Sequence, residues 1–114
     1  MKRYLGPRKA MRIYIDSSDK FGDSPLWEEI LKRAKQEGIA GATVFKGVAG
    51  MGVHSEISSF SIVSLSQKLP IVIEIIDKED KIMSFVKIVD SMVSEGLVTL
   101  FDIEVISYKH PGFS

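Results

Sequence analysis

The chain has 114 residues, a formal net charge of zero from 15 Lys+Arg against 15 Asp+Glu, two His and no Cys. That length supports one domain with a single core. The absence of Cys excludes disulfides, thiol nucleophiles, CxxC redox motifs and Cys-based zinc sites, and the neutral sum argues against general nucleic-acid affinity.

Residues 1–10 form a basic N-terminal arm. Lys2, Arg3, Arg8, Lys9 and, just beyond, Arg12 precede the first acid, leaving ten basic and fifteen acidic side chains in residues 13–114. The arm reads as a frayed, solvated tail or as a segment that meets an acidic partner or phosphate. Residues 11–110 form the domain, and 111–114 a tail. Met11–Ile15 alternates as a strand does. Residues 16–24 are a loop rich in Asp, Ser and Gly. Ser24-Pro25 then opens a helix, with Ser24 as cap, Pro25 at the first position and Glu28 and Glu29 in the first turn. Leu26, Trp27, Ile30, Leu31 and Ala34 supply its apolar face, and Gly38 its stop.

Residues 42–48 are the second strand. From 49 to 67 the periodicity fades into Gly50-Met51-Gly52 and a run of small polar residues that includes His54. This predicts a long loop with short strand character at 60–65, and loops of that length are usually functional. Residues 69–76 form an almost wholly apolar, central third strand. Asp77 caps a second helix whose buried stripe is Ile82, Phe85, Val86, Val89, Met92 and Val93, and Gly96 ends it. The fourth strand is 98–106. The longest apolar run, 69–76, is far short of the ~20 residues that a membrane helix needs, and the N-terminus is polar, so a cytoplasmic protein is expected. The chain lacks Asn and has only Gln36 and Gln67. That usage fits a thermophile and equally a chance fluctuation.

The two halves echo each other, with Glu37-Gly38-Ile39 answered by Glu95-Gly96-Leu97. The order βαβ–βαβ predicts an α+β, ferredoxin-like sandwich: four antiparallel strands with both helices on one face. The other face, holding Tyr14, Val72, Ile76 and Ile106, is left bare and calls for a partner. An apolar fraction of 45% and a mean hydropathy of +0.11 agree with that need.

No catalytic constellation emerges. No Ser sits in GxSxG and no triad spacing is present. His54 and His110 fall in the loop and the tail, so no metal is expected. The acids at 28/29 and at 77/79/80 stand at helix starts, where they complement the dipole. The third strand lacks the aromatics of an RNA-binding sheet. Lys46, Gly47, Gly50 and Gly52 could expose backbone N–H groups to an anion, or they could be a plain turn.

The string Gly41-Ala42-Thr43-Val44, then Gly50-Met51-Gly52, then Leu65-Ser66-Gln67-Lys68-Leu69-Pro70-Ile71-Val72-Ile73-Glu74-Ile75-Ile76-Asp77 and Glu95-Gly96-Leu97-Val98-Thr99 resembles the PII-like proteins of domain-of-unknown-function family 190, the UPF0166 type. The likeness runs from about Met11 to Tyr108. It implies a ferredoxin-like subunit, a homotrimer and, through the wider PII signalling superfamily, an adenine nucleotide bound between subunits. The implied pocket takes Gly41, Ala42 and Thr43 from one subunit, and Gly50, Gly52 and the end of the third strand, with Ile76, from its neighbour. Lys46, Gly47 and Met51 lie alongside. Glu74 would meet ribose or adenine, or else pair within the trimer interface.

Two phosphate grips of PII proteins lack counterparts. The link before the fourth strand is only Glu95-Gly96-Leu97-Val98, and Tyr108-Lys109-His110-Pro111 replaces an Arg-bearing segment. The resemblance therefore implies AMP or ADP rather than ATP, with Lys46 or Lys109 at the phosphate. It also implies a regulatory loop at 49–67 and, since some members occur beside fluoride channels, a membrane transporter as target.

Overall fold

The computed structural model describes residues 2–3, 5–51, 57–59 and 68–109. The main elements are β1 (Gly6–Asp16), α1 (Leu26–Gln36), β2 (Gly41–Lys46), β3 (Pro70–Asp77), α2 (Glu79–Met92) and β4 (Leu97–Val105). The strands form one antiparallel sheet in the order β2–β3–β1–β4. That is the α+β, ferredoxin-like sandwich expected from the element order. The two strands with the strongest apolar alternation are its centre. Met11, Ile13 and Ile15 of β1 and Ile71, Ile73 and Ile75 of β3 point to one side, because successive strand residues face opposite ways. They meet Leu26, Ile30 and Ala34 of α1 and Ile82, Phe85, Val89 and Met92 of α2 in one core.

The first strand begins at Gly6, not at Met11. Half of the expected arm therefore belongs to the sheet. Consecutive charges at Arg8 and Lys9 hide this in the sequence, yet each is accommodated. The Lys9 ammonium lies 3.0 Å from Asp102 and 3.3 Å from Glu79. Asp102 first and Glu79 second raise the Lys9 pKa above the ordinary lysine value. Any stability this adds is fully present below that ordinary value and is lost only as alkaline pH passes the raised one. Arg8 donates to the carbonyls of Leu5 and Pro7 at 2.8 and 2.7 Å. Nor is the start of the arm a frayed tail, since Lys2–Arg3 pairs antiparallel with Tyr108–Lys109.

Three expected caps are placed differently. Lys20–Phe21 pairs with Ser24–Pro25, and the Leu26 amide donates to the Asp19 carbonyl at 2.9 Å. This tight turn holds Pro25 outside α1 as its N-cap, and no side chain among the described residues caps the helix. At the other end Gly38 does stop α1. At φ +71° its amide donates to Lys35 O and that of Ile39 to Ala34 O, a Schellman closure. Gly96 does not end α2, which stops at Met92 with Val93 as C-cap.

Asp77 sits one residue ahead of the α2 N-cap, Lys78. Buried at the end of β3, it accepts from the Lys78 amide at 2.7 Å and from the Ala40 amide at 2.9 Å. It thus ties the loop after α1 to the start of α2. Lys81 reinforces the junction by donating to Gly38 O at 2.7 Å. Asp77→Ala strands both amides, so urea denaturation should show a loss of about 1–3 kcal/mol. Asp77→Asn, which keeps an acceptor oxygen, should lose less. Equal midpoints for Asp77→Ala and the parent chain would contradict the assigned role.

Candidate functional site

Directly paired residues of an antiparallel ladder share a face. Gly41 pairs with Ile76 and Thr43 with Glu74, so these four expected site residues lie on the sheet face away from the helices. Ala42 pairs with Ile75 and Lys46 with Ile71, which puts both on the helix side. β2 is an edge strand of this sheet.

The glycines after β2 have a local explanation. Gly47 donates its amide to Pro70 O at 2.7 Å. A Cβ on Gly47 would stand 2.7 Å from Pro70 Cγ, and one on Gly50 would stand 3.0 Å from the same atom. Both positions are therefore small because the chain folds closely over the proline ring. Gly50 and the exposed Met51 belong to a three-residue strand, Ala49–Met51, paired with Ile57–Ser59. Two short paired strands thus lie within the segment expected as loop. Gly52, His54 and the strand character expected at 60–65 lie outside the described residues, as does His110.

The expected ligand residues are spread along the sheet, with Thr43 and Glu74 near its middle and the glycines at two ends. Gly41 and Ile76 mark one end, and Gly47 and Gly50 at Pro70 the other, about 20 Å away along the strand. One chain does not bring them together; a second chain would be needed to close a pocket. A separate groove of about 280 Å³ opens between the helices beside Glu37, Ile39 and Lys81, and none of the expected ligand residues lines it. Among the described residues, no group of three His, Cys, Asp or Glu could hold a metal. No helix among them is long and apolar enough to cross a membrane.

The centre of the open face holds a residue that the sequence reading assigned to basic charge rather than to a site. Arg12 Nε donates to Glu74 Oε2 at 2.9 Å. The guanidinium also lies 4.8 Å from the centroid of Phe101, a favourable cation–π distance. The Glu74 hydrogen bond, and after it one with Tyr14, raises the Arg12 pKa above the ordinary arginine value. The strand alternation contained half of the signal: Glu74 interrupts the apolar outward row of β3, whereas the outward row of β1 carries Arg8 and Asp16 as well as Arg12. Tyr14, Val72 and Ile76 occupy this face as expected, whereas Ile106 lies beyond β4. The Thr99 hydroxyl, on the residue opposite Arg12, is buried without a hydrogen-bond partner among the described residues.

Residues 8–105 match the family DUF190, described as uncharacterised ACR. The chain belongs to this family. It is 40% identical over 99 residues to a UPF0166 protein of Aquifex aeolicus, covering 87% of this chain and 93% of that one. A UPF0166 protein of Methanocaldococcus jannaschii is 38% identical over 98 residues, covering 85% and 90%. Among solved structures, the chain is similar to CPII of Thiomonas intermedia, a nitrogen regulatory PII-like protein bound to ADP, AMP and bicarbonate. There the TM-score is 0.62 at 18% identity, covering 87% of this chain and 88% of that one. A PII-like signalling protein of Thermus thermophilus gives a TM-score of 0.63 at 17% identity, covering 88% and 90%. The fold of this DUF190 chain is thus PII-like.

Proposed function

We propose that the protein is a PII-like regulator. As a homotrimer it binds AMP or ADP in preference to ATP at the clefts between subunits, and it signals through segment 49–67 to a target such as a membrane transporter. The observation that carries this reading is the PII-like fold with GATV on an edge strand. Gly41, Ala42 and Thr43 stand at a border that a neighbouring subunit can complete, and Gly50 lies at the opposite end of the same sheet. The Thiomonas protein of like fold binds ADP and AMP. The four-residue link between α2 and β4 is short for a triphosphate-binding loop, which favours fewer phosphates.

Calorimetry with AMP, ADP and ATP tests the proposal. Saturable heat with AMP or ADP is expected, with ATP at least about tenfold weaker, as for an added phosphate charge that is partly desolvated without a partner. No heat at millimolar ligand from an intact oligomer would overturn it.

A second reading, a trimer that contacts its target without a small ligand, is favoured by one observation. Packing against Pro70 accounts for Gly47 and Gly50 without any phosphate. A target pull-down that needs segment 49–67 but ignores nucleotide would select this reading.

A further inference from the structure

The basic start of the chain is folded into a projecting ribbon. The last rung between β1 and β3 is Lys9 opposite Asp77. Beyond it, among the described residues, β1 has only β4 beside it. That ladder runs on to Gly6 opposite Val105, and the same register resumes with Arg3 opposite Tyr108 and Lys2 opposite Lys109. Two strands alone therefore carry the chain about 20 Å past the end of β3. Charge is sorted between ribbon and body. Residues 2–8 and 103–109 hold Lys2, Arg3, Arg8 and Lys109 against one acid, Glu104, which leaves eleven basic and fourteen acidic side chains elsewhere. At the junction Lys9 is matched by Asp102 and Glu79. Arg8 donates to the carbonyls of Leu5 and Pro7, which orient the guanidinium without neutralising it. Lys2 and Lys109 stand at directly opposite positions, where like charges destabilise a strand pair. Ile106, 65% exposed, adds an apolar side chain among these cations.

We propose that this ribbon docks on an anionic lipid surface, with its cations at the headgroup phosphates and Ile106 in the boundary between headgroups and acyl chains. An isolated two-stranded ribbon is marginal in water, and such a surface relieves the like-charge opposition of Lys2 and Lys109. Each Lys or Arg held there strengthens binding about fivefold, and an inserted apolar side chain adds to it. Charge and composition select the occupant. A nucleic acid offers phosphates but leaves Ile106 among charges, and a duplex longer than the ribbon runs on over a body with an excess of acid. An acidic protein segment must match carboxylates to particular positions. The four cations are instead spread over both strands, as suits a continuous anionic field. Docking of this kind needs no nucleotide. It would hold the chain at the membrane in which a transporter target lies.

Vesicle co-sedimentation of the full chain tests this. Vesicles of phosphatidylcholine with about one-third phosphatidylserine should bind it at least about tenfold more tightly than phosphatidylcholine alone. Raising the salt from about 0.1 M to about 0.5 M should remove most of that difference. The double variant Lys2→Gln, Lys109→Gln should bind the mixed vesicles at least about tenfold more weakly. It removes a like-charge opposition, so its fold should be unharmed. The control Lys35→Gln, Lys87→Gln takes the same charge from exposed positions on the two helices. It should stay within about twofold of the parent, because charges more than a Debye length from the surface are screened. Ile106→Ser should weaken binding at least about threefold, as for the loss of an inserted apolar side chain. Absence of vesicle binding, equal binding to neutral vesicles, or an equal loss in the control pair would overturn the proposal. So would an unchanged Ile106→Ser. Tighter binding to a short DNA duplex or to polyglutamate than to the mixed vesicles would also overturn it, in favour of a nucleic acid or an acidic protein.

Discussion

Phe85→Ala lowers the stability of the fold by about 3–5 kcal/mol, the range for emptying a fully buried aromatic site. Phe85 is 1% exposed and lies within the core shared by both helices and the two central strands. The residues around it, among them Ile82 and Val89, sit on rigid elements and cannot collapse into the space. Domains of this size have total stabilities of roughly 5–15 kcal/mol, so the variant stands near the edge of folding. Guanidinium denaturation at fixed protein concentration reads the effect as a shifted midpoint with unchanged slope. Phe85→Leu, which keeps most of the volume, should cost roughly 1–2 kcal/mol. A midpoint for Phe85→Ala within experimental error of the parent would mean that the core is assembled differently.

Gly96→Ala should lower stability by about 1–3 kcal/mol. Its added Cβ would stand 2.8 Å from the carbonyl oxygen of Tyr14, 3.0 Å from Val93 Cγ1 and 3.2 Å from Ile15 Cγ2. The nearest of these is backbone in a central strand and cannot yield. The matching glycine in the other half behaves differently. Gly38 has a φ of +71°, but its Cβ would meet only the flexible end of Lys81, at 3.3 Å. Gly38→Asn should therefore recover much of what Gly38→Ala loses, since Asn tolerates left-handed backbone. Gly96→Asn should be no better than Gly96→Ala. Thermal melts of the four variants decide the matter, and the same Asn rescue at both positions would refute the distinction.

Those two glycines show where local pattern stops being informative. Glu37-Gly38 and Glu95-Gly96 look alike in the sequence, and both read as helix stops. Only Gly38 closes a helix; Gly96 makes room for β1. The same divide runs through the candidate site. Gly47 and Gly50 could equally cradle an anion or fit a turn until Pro70, twenty or more residues away, is placed against them. Asp77 reads as a helix cap because the amide it ties down, that of Ala40, is distant in the chain. The start of β1 was obscured because Lys9 owes its place to Asp102 and Glu79, neither of which is near it in sequence.

The residue pattern alone pointed to two helices and the four strands of the main sheet, to a central third strand, to the stripes that face the core and to one sheet face without a helical cover. Those properties follow from side-chain period and turn chemistry, which are local. The sequence motifs also pointed to the family. The tertiary structure decided the partners. The pairing of Arg12 with Glu74, the closeness of Gly47 and Gly50 to Pro70, and the separation of Gly41 from Gly47 and Gly50 all depend on strand register. Register is a long-range property: it sets which residue stands opposite which, whereas alternation sets only the side of the sheet that each residue faces.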